Sequence, residues 1–190
     1  MSLKFAILAA LTERSSTGLE LARRFDRSIG YFWSASHQQI YRELERLREA
    51  GLVSTVSRPG PPERGQPKEF EILPAGTSAL MAWTINQDDP APMREALFVK
   101  VRAAAALGNP GVEAAVTHDR QIHAQILSRY EEIDRRDFQD RDLDAQGRMQ
   151  RLVLQAGIDL ERTRIQWCDA VLTELRSQQQ PNHEADASST

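Results

Sequence analysis

The order of elements in the first 85 residues constrains this chain more than any other feature. Leu3, Ile7, Leu8 and Leu11 fall on one stripe, which predicts a helix over residues 3–12. After a connector at 13–16, Thr17-Gly18-Leu19-Glu20 forms a capping box. In such a box the Thr hydroxyl accepts from the Glu amide and the Glu carboxylate reaches back. It opens a second helix to about Arg27, with Leu19 or Leu21, Ala22 and Phe25 turned inward. Gly30 interrupts the pattern, and Trp33 is expected in the core. A second box, Ser36-His37-Gln38-Gln39, starts a third helix whose buried face is Ile40, Leu44 and Leu47. Gly51 suits the left-handed residue past its end. Residues 52–57 and 69–73 alternate as strands around a Pro-, Gly- and Arg-rich loop at 58–67. A helix at 74–85 follows. Three helices and a two-stranded wing are the order of a winged helix-turn-helix.

Residues 86–92, with two Pro and two Asp, form the linker between an N-terminal domain at 1–85 and a C-terminal domain at 93–177. Helices are expected at 93–107, 112–138 and 148–177, with a polar turn at 139–147. Val112, Val116, Ile122, Ile126, Tyr130 and Ile133 keep to one seam. Leu154, Ile158, Ile165, Cys168, Leu172 and Leu175 repeat at heptad-like spacing, and Val153, Leu160, Trp167 and Val171 widen the stripe. Stripes this wide are unfavourable in water, and burial against a twin gives a two-fold dimer. The dimer residues expected are Ile126, Tyr130, Ile158, Ile165, Trp167 and Leu172. The polar tail at 178–190 is expected to be disordered. The fold class is therefore mainly α with a small β wing, and a winged helix-turn-helix domain precedes a helical dimerisation domain.

Charge separates the halves. Residues 1–83 carry 11 Lys and Arg against 9 Asp and Glu, whereas residues 84–190 carry 13 against 18. The basic surplus lies on the half with the exposed helix and wing, and the acidic half opposes indiscriminate nucleic-acid binding. No apolar run approaches the roughly 18 residues of a membrane span, and the start lacks a signal-peptide pattern. One cysteine, Cys168, excludes an internal disulfide and fits a reducing cytoplasm. His118 and His123, five apart, fall on different sides of their helix. No Walker loop or Gly-x-Ser-x-Gly elbow is present. No enzyme activity, cofactor or metal is expected.

The run Phe32-Trp33-Ser34-Ala35-Ser36-His37-Gln38-Gln39-Ile40-Tyr41, with Leu44, Leu47 and Gly51-Leu52-Val53, resembles the PadR-like transcriptional regulators. So does Arg64-Gly65-Gln66-Pro67-Lys68-Glu69-Phe70 through Pro74-Ala75-Gly76 to Leu80 and Trp83, and more loosely the second half with Trp167. The chain departs from the family at Gln38, Arg42, Phe70 and Pro74, where Gly, Pro, Tyr and Thr are common. The first two lie on DNA-facing turns, so the operator is not carried over from the family. The resemblance implies a homodimeric DNA-binding regulator, usually a repressor, often responsive to a small molecule such as a phenolic acid or a drug.

The residues expected at double-stranded DNA follow. Ser36 offers free amides to a phosphate. Gln38, Gln39 and Arg42 lie on the first turns, where Gln suits adenine and Arg suits guanine. His37 donates to phosphate or packs beside the cap, and Tyr41 places its ring on the domain and its hydroxyl toward phosphate. Arg58, Arg64 and Lys68 flank the wing tip, and Thr17 adds a phosphate contact. Arg46 pairs with a nearby Glu. Trp167 is either a dimer anchor or a stacking platform for a small aromatic effector. The competing function is a winged-helix protein-interaction module without specific DNA binding.

Overall fold

The computed structural model describes residues 3–25, 35–56, 67–89, 92–108 and 111–179. Trp33, Arg58, Arg64 and residues 180–190 of the expected disordered tail lie outside them, whereas residues 178 and 179 of that tail continue the last helix. The chain divides into two compact units, Met1–Pro90 and Ala91–Thr190, and the division falls within the 86–92 segment.

The first unit contains α1 (Leu3–Glu13), β1 (Ser16–Thr17), α2 (Gly18–Arg24), α3 (His37–Glu49), β2 (Val53–Thr55), β3 (Glu69–Ile72) and α4 (Pro74–Thr84). Its core collects Ile7, Leu8 and Leu11 of α1, Leu21, Ala22 and Phe25 around α2, Ile40, Leu44 and Leu47 of α3, and Val53 and Phe70 of the sheet. Each of these side chains larger than alanine contributes about 1.5–3 kcal/mol on burial. Leu21 is fully buried and Leu19 is exposed, which settles the alternative on α2. Trp83 of α4 stacks on Phe5 of α1, with centroids 4.6 Å apart and planes 9° apart.

The wing has three strands rather than two. The last residue of the expected connector, Ser16, and the expected cap, Thr17, form β1, and the order is β1-β3-β2, antiparallel throughout. Ser16 pairs with Phe70 and Val53 with Ile72. Ser16 is 1 % exposed, so its backbone has little water to bond and the sheet supplies the partner instead. Arg24 braces this corner. Its Nη1 donates to the Ala10 carbonyl at 2.8 Å and to Ser16 Oγ at 3.4 Å, and its Nη2 pairs with Glu13. Burial pulls the Arg24 guanidinium below its usual value, and Glu13 opposes that shift.

The second unit contains α5 (Ala96–Leu107), α6 (Val112–Asp137) and α7 (Ala145–Gln179). Helix α5 begins later than expected because Glu95 caps it, with Oε1 accepting from the Leu97 amide at 3.2 Å. Helix α7 begins earlier because Asp144 Oδ1 accepts from the Gly147 amide at 2.7 Å. Helices α6 and α7 are antiparallel. Ion pairs join Glu113 to Arg176, Arg120 to Asp169, Glu131 to Arg162 and Asp134 to Arg151. These are largely exposed pairs worth about 0–1 kcal/mol each, so they fix register more than stability.

The α6 seam differs from expectation at one turn. Val112, Val116, Tyr130 and Ile133 are buried, but Ile122 is 41 % exposed. Asp119 and His123 occupy the inward positions there, facing a buried Glu161 on α7. No described helix is long and apolar enough to cross a membrane.

Gly76 is the tightest joint of the first unit. A Cβ there would overlap the Leu52 carbonyl oxygen and come within 2.9 Å of Ile72 Cγ1. Backbone oxygen cannot swing aside, so Gly76→Ala must push α4 off the sheet. It is expected to destabilise the protein by about 1–3 kcal/mol, measured as a lowered midpoint in urea.

Candidate nucleic-acid interface

The surface is built from α3 outward. Ile40, Leu44 and Leu47 are drawn into the core, and one turn of helix separates them. Their burial dictates what remains outside: Ser36, His37, Gln38, Gln39 and Arg42 are all exposed. The helix start is fixed by a complete capping box. The Gln39 amide donates to Ser36 Oγ at 3.3 Å, and the Ser36 amide donates to Gln39 Oε1 at 2.8 Å. Gln39 is therefore engaged in its own cap, and Gln38 beside it presents its side chain to solvent. The Arg42 guanidinium lies along the same face, its Nε donating to the Gln38 carbonyl at 3.4 Å.

Further along α3 the charges neutralise one another. Arg46 pairs with Glu43 at 3.4 Å, and Arg48 with Glu45 at 2.8 Å. The end with uncommitted polar chemistry is thus the N-terminal one. Gly51, at φ +66°, closes the helix in the left-handed region.

Helix α2 meets α3 through a glycine. A Cβ on Gly18 would fall 2.8 Å from Tyr41 Cδ1 and overlap the ring beyond it. The Tyr41 ring thus lies against the first turn of α2, and the residue is 45 % exposed. Thr17, the cap of α2, accepts from the Glu20 amide at 3.2 Å, and its own amide donates to Glu20 Oε2 at 2.7 Å. Gly18 escaped sequence reasoning. Its signal was a glycine in the first position after a strong cap, where a side chain would be tolerated unless another helix came close. Of the wing residues, Lys68 is exposed just before β3. Cross-strand bonds from Ser15 to Glu69 at 2.7 Å and from Ser54 to Glu71 at 2.9 Å hold the wing base.

The second unit separates the residues expected at a dimer interface. Tyr130, Ile158 and Leu172 are buried within the chain itself, and Ile126, Ile165 and Trp167 are half-buried. The apolar surface left open on α7 is a second stripe, Met149, Leu152, Val153 and Leu160, between 45 % and 64 % exposed. The wide stripe in the sequence is therefore two stripes, of which α6 covers one. Trp167 packs on Phe98, with centroids 4.5 Å apart, and lines a groove of about 610 Å³ between α5 and α7 with Val101, Ala104, Val171 and Leu175. Cys168 is buried, and that burial pushes its thiol up, which makes it a poor nucleophile. Among the described residues no His, Cys, Asp and Glu group could hold a metal.

Three carboxylates of this unit sit below their usual range. Arg120, bonded at 2.5 Å, holds Asp169 down, Arg136, bonded at 2.6 Å, holds Asp137 down, and the Leu97 amide, followed by Arg164, holds Glu95 down. A depressed carboxylate adds stability above its unfolded value and loses it as pH falls through its folded value. The second unit should therefore weaken from about pH 5 downward. Asp169→Asn should flatten the decline, measured as the urea midpoint across an acid series.

Comparison with known proteins gives a consistent set. Residues 7–82 match the transcriptional regulator PadR-like family, and residues 93–176 match the virulence activator alpha C-terminal family. A probable transcriptional regulator of Mycobacterium tuberculosis is 38% identical over 189 residues, covering 93% of this chain and 98% of that one. The virulence activator AphA of Vibrio cholerae superposes with a TM-score of 0.78 at 32% identity, covering 93% of this chain and 99% of its own. Bacillus subtilis PadR, solved in complex with operator DNA, superposes with a TM-score of 0.75 at 22% identity, covering 91% and 98%. It has also been solved in complex with p-coumaric acid, with a TM-score of 0.73 over 92% and 98%.

Proposed function

The chain belongs to the PadR-like family of transcriptional regulators, and from that premise we propose that it is a homodimeric repressor of a palindromic operator, released by a small aromatic effector. The observation that carries this reading is the division of α3 into a buried apolar face and an exposed, capped N-terminal turn bearing Gln38 and Arg42.

Placed in a major groove, Gln38 suits adenine and Arg42 suits guanine. The first turns of α3 and α2 behind Ser36 and Thr17, with His37 and the Tyr41 hydroxyl, face the phosphates. Lys68, with Arg58 and Arg64 of the wing loop, reaches the minor groove or the adjacent backbone. A second copy covers the open stripe of α7 at Met149, Leu152, Val153 and Leu160, since a contiguous apolar surface of this kind marks an interface. Two-fold pairing sets two α3 helices about 34 Å apart, one turn of DNA. Trp167 and its groove offer a flat ligand an apolar wall, and a ligand that binds one dimer geometry better than the other shifts the protein toward it. Repression is the proposed sign because the B. subtilis relative is named a negative regulator. AphA is named an activator, so a reporter assay on the adjacent promoter decides the sign.

The test is titration of a fluorescent duplex from upstream of the chain's own gene, with competitor DNA, across a salt series. Expected is competitor-resistant binding with a Kd on the order of nanomolar, two chains per duplex and a steep fall with salt. Arg42→Ala should weaken binding by about 1–3 kcal/mol and relax the preference at one base position. Binding that competitor erases would overturn the reading in favour of a protein partner for the winged face.

A further inference from the structure

One layer of the second unit is polar where its surroundings are apolar. His123 of α6 places Nδ1 2.5 Å from Glu161 Oε2 of α7 and Nε2 3.3 Å from Asp119 Oδ2. One turn along α7, Arg164 donates to Glu95 Oε2 at 3.1 Å, while Oε1 of the same carboxylate caps α5 through the Leu97 amide. The Arg164 guanidinium lies 5.0 Å from the centre of the Phe98 ring, and Phe98 packs on Trp167. Leu97, Val116, Cys168 and Leu172 belong to the apolar cluster of the same unit.

Arg164 is a poor choice for stability alone. Its side chain is largely withdrawn from water, and Nη1 is enclosed with no hydrogen-bond partner. A buried cation with one carboxylate and an orphaned donor loses hydration that the pair does not return. An apolar side chain of similar length would fill the same space against Phe98 without that loss. What an apolar side chain cannot do is hold Glu95. Glu95 is the residue on which α5 starts, four residues after the division between the two units.

We propose that Arg164 is a positioning residue: by gripping Glu95 and Phe98 it fixes the first turn of α5, and hence the point where the chain leaves the C-terminal unit. The consequence for DNA rests on the reading of the preceding subsection. A dimeric reader needs each α3 at a set spacing, and the exit point of the connecting segment is one determinant of that spacing.

The test compares full-length wild type with Arg164→Met, and with Glu95→Gln, which keeps an acceptor for the Leu97 amide but loses the charge. Amide hydrogen exchange reads α5 directly. In both variants protection at residues 97–100 should fall roughly tenfold, with α6 and α7 unchanged and thermal stability equal or higher for Arg164→Met. Operator affinity should fall roughly 3- to 30-fold at an unchanged salt slope. Unchanged protection at 97–100, or loss spread over α6 and α7, would overturn the proposal. So would lost protection with undiminished operator affinity. If wild type itself binds no operator, the DNA reading fails, and the exchange data still decide what Arg164 does.

Discussion

Burial of Ile40, Leu44 and Leu47 on one side of α3 is the constraint from which the rest of the first unit follows. These side chains are at most 2 % exposed, so the helix cannot roll without losing several kcal/mol of burial. A helix that cannot roll must present Gln38 and Arg42 to solvent in a fixed direction. The neighbouring parts defend that direction. The Tyr41 ring rests on Gly18, the Ser36–Gln39 box sets where the helix begins, and Gly76 seats α4 against Leu52 so that the sheet stays at the end of α3. Arg24 ties α1 to the start of β1 at the opposite corner.

The second unit solves a different problem. Helices α6 and α7 carry apolar side chains along their length, and each is stable only with that face covered. Their antiparallel ladder of ion pairs sets register, and Leu154, Ile158, Cys168 and Leu172 are buried in the seam. Because α7 has apolar residues on more than one side, covering one stripe leaves another open. That surplus is the observation on which the proposed second copy, and with it the proposed two-fold DNA site, rests. The polar layer at His123, Glu161 and Arg164 interrupts the apolar seam and favours one alignment of the three helices, since any shift leaves charges without partners.

Helix α3 was legible in the sequence because every signal for it is local: a cap three residues from its Gln partner, apolar residues one turn apart and a glycine at the end. The same holds for the N-terminal cap of α2 and the bounds of α6. Strand β1 was not legible, because two residues carry no period and their partner, Phe70, lies more than fifty positions away. Ile122 was misplaced for a related reason. Hydrophobicity alone favoured it over His123, and only Glu161, on another helix, explains why a histidine turns inward. Likewise, the width of the apolar surface on α7 was visible, but its division into covered and open stripes depended on where α6 lies. At the DNA-facing surface residue types were legible, but which glutamine is free was not. The structure commits Gln39 to its cap and leaves Gln38 exposed.

The central claim is that paired α3 helices face successive major grooves of one duplex. Hydroxyl-radical footprinting of the full chain on its operator tests it directly. The account predicts two protected half-sites related by two-fold symmetry, with centres about 10–10.5 base pairs apart. A single protected half-site, or uniform protection without a centre of symmetry, would contradict it.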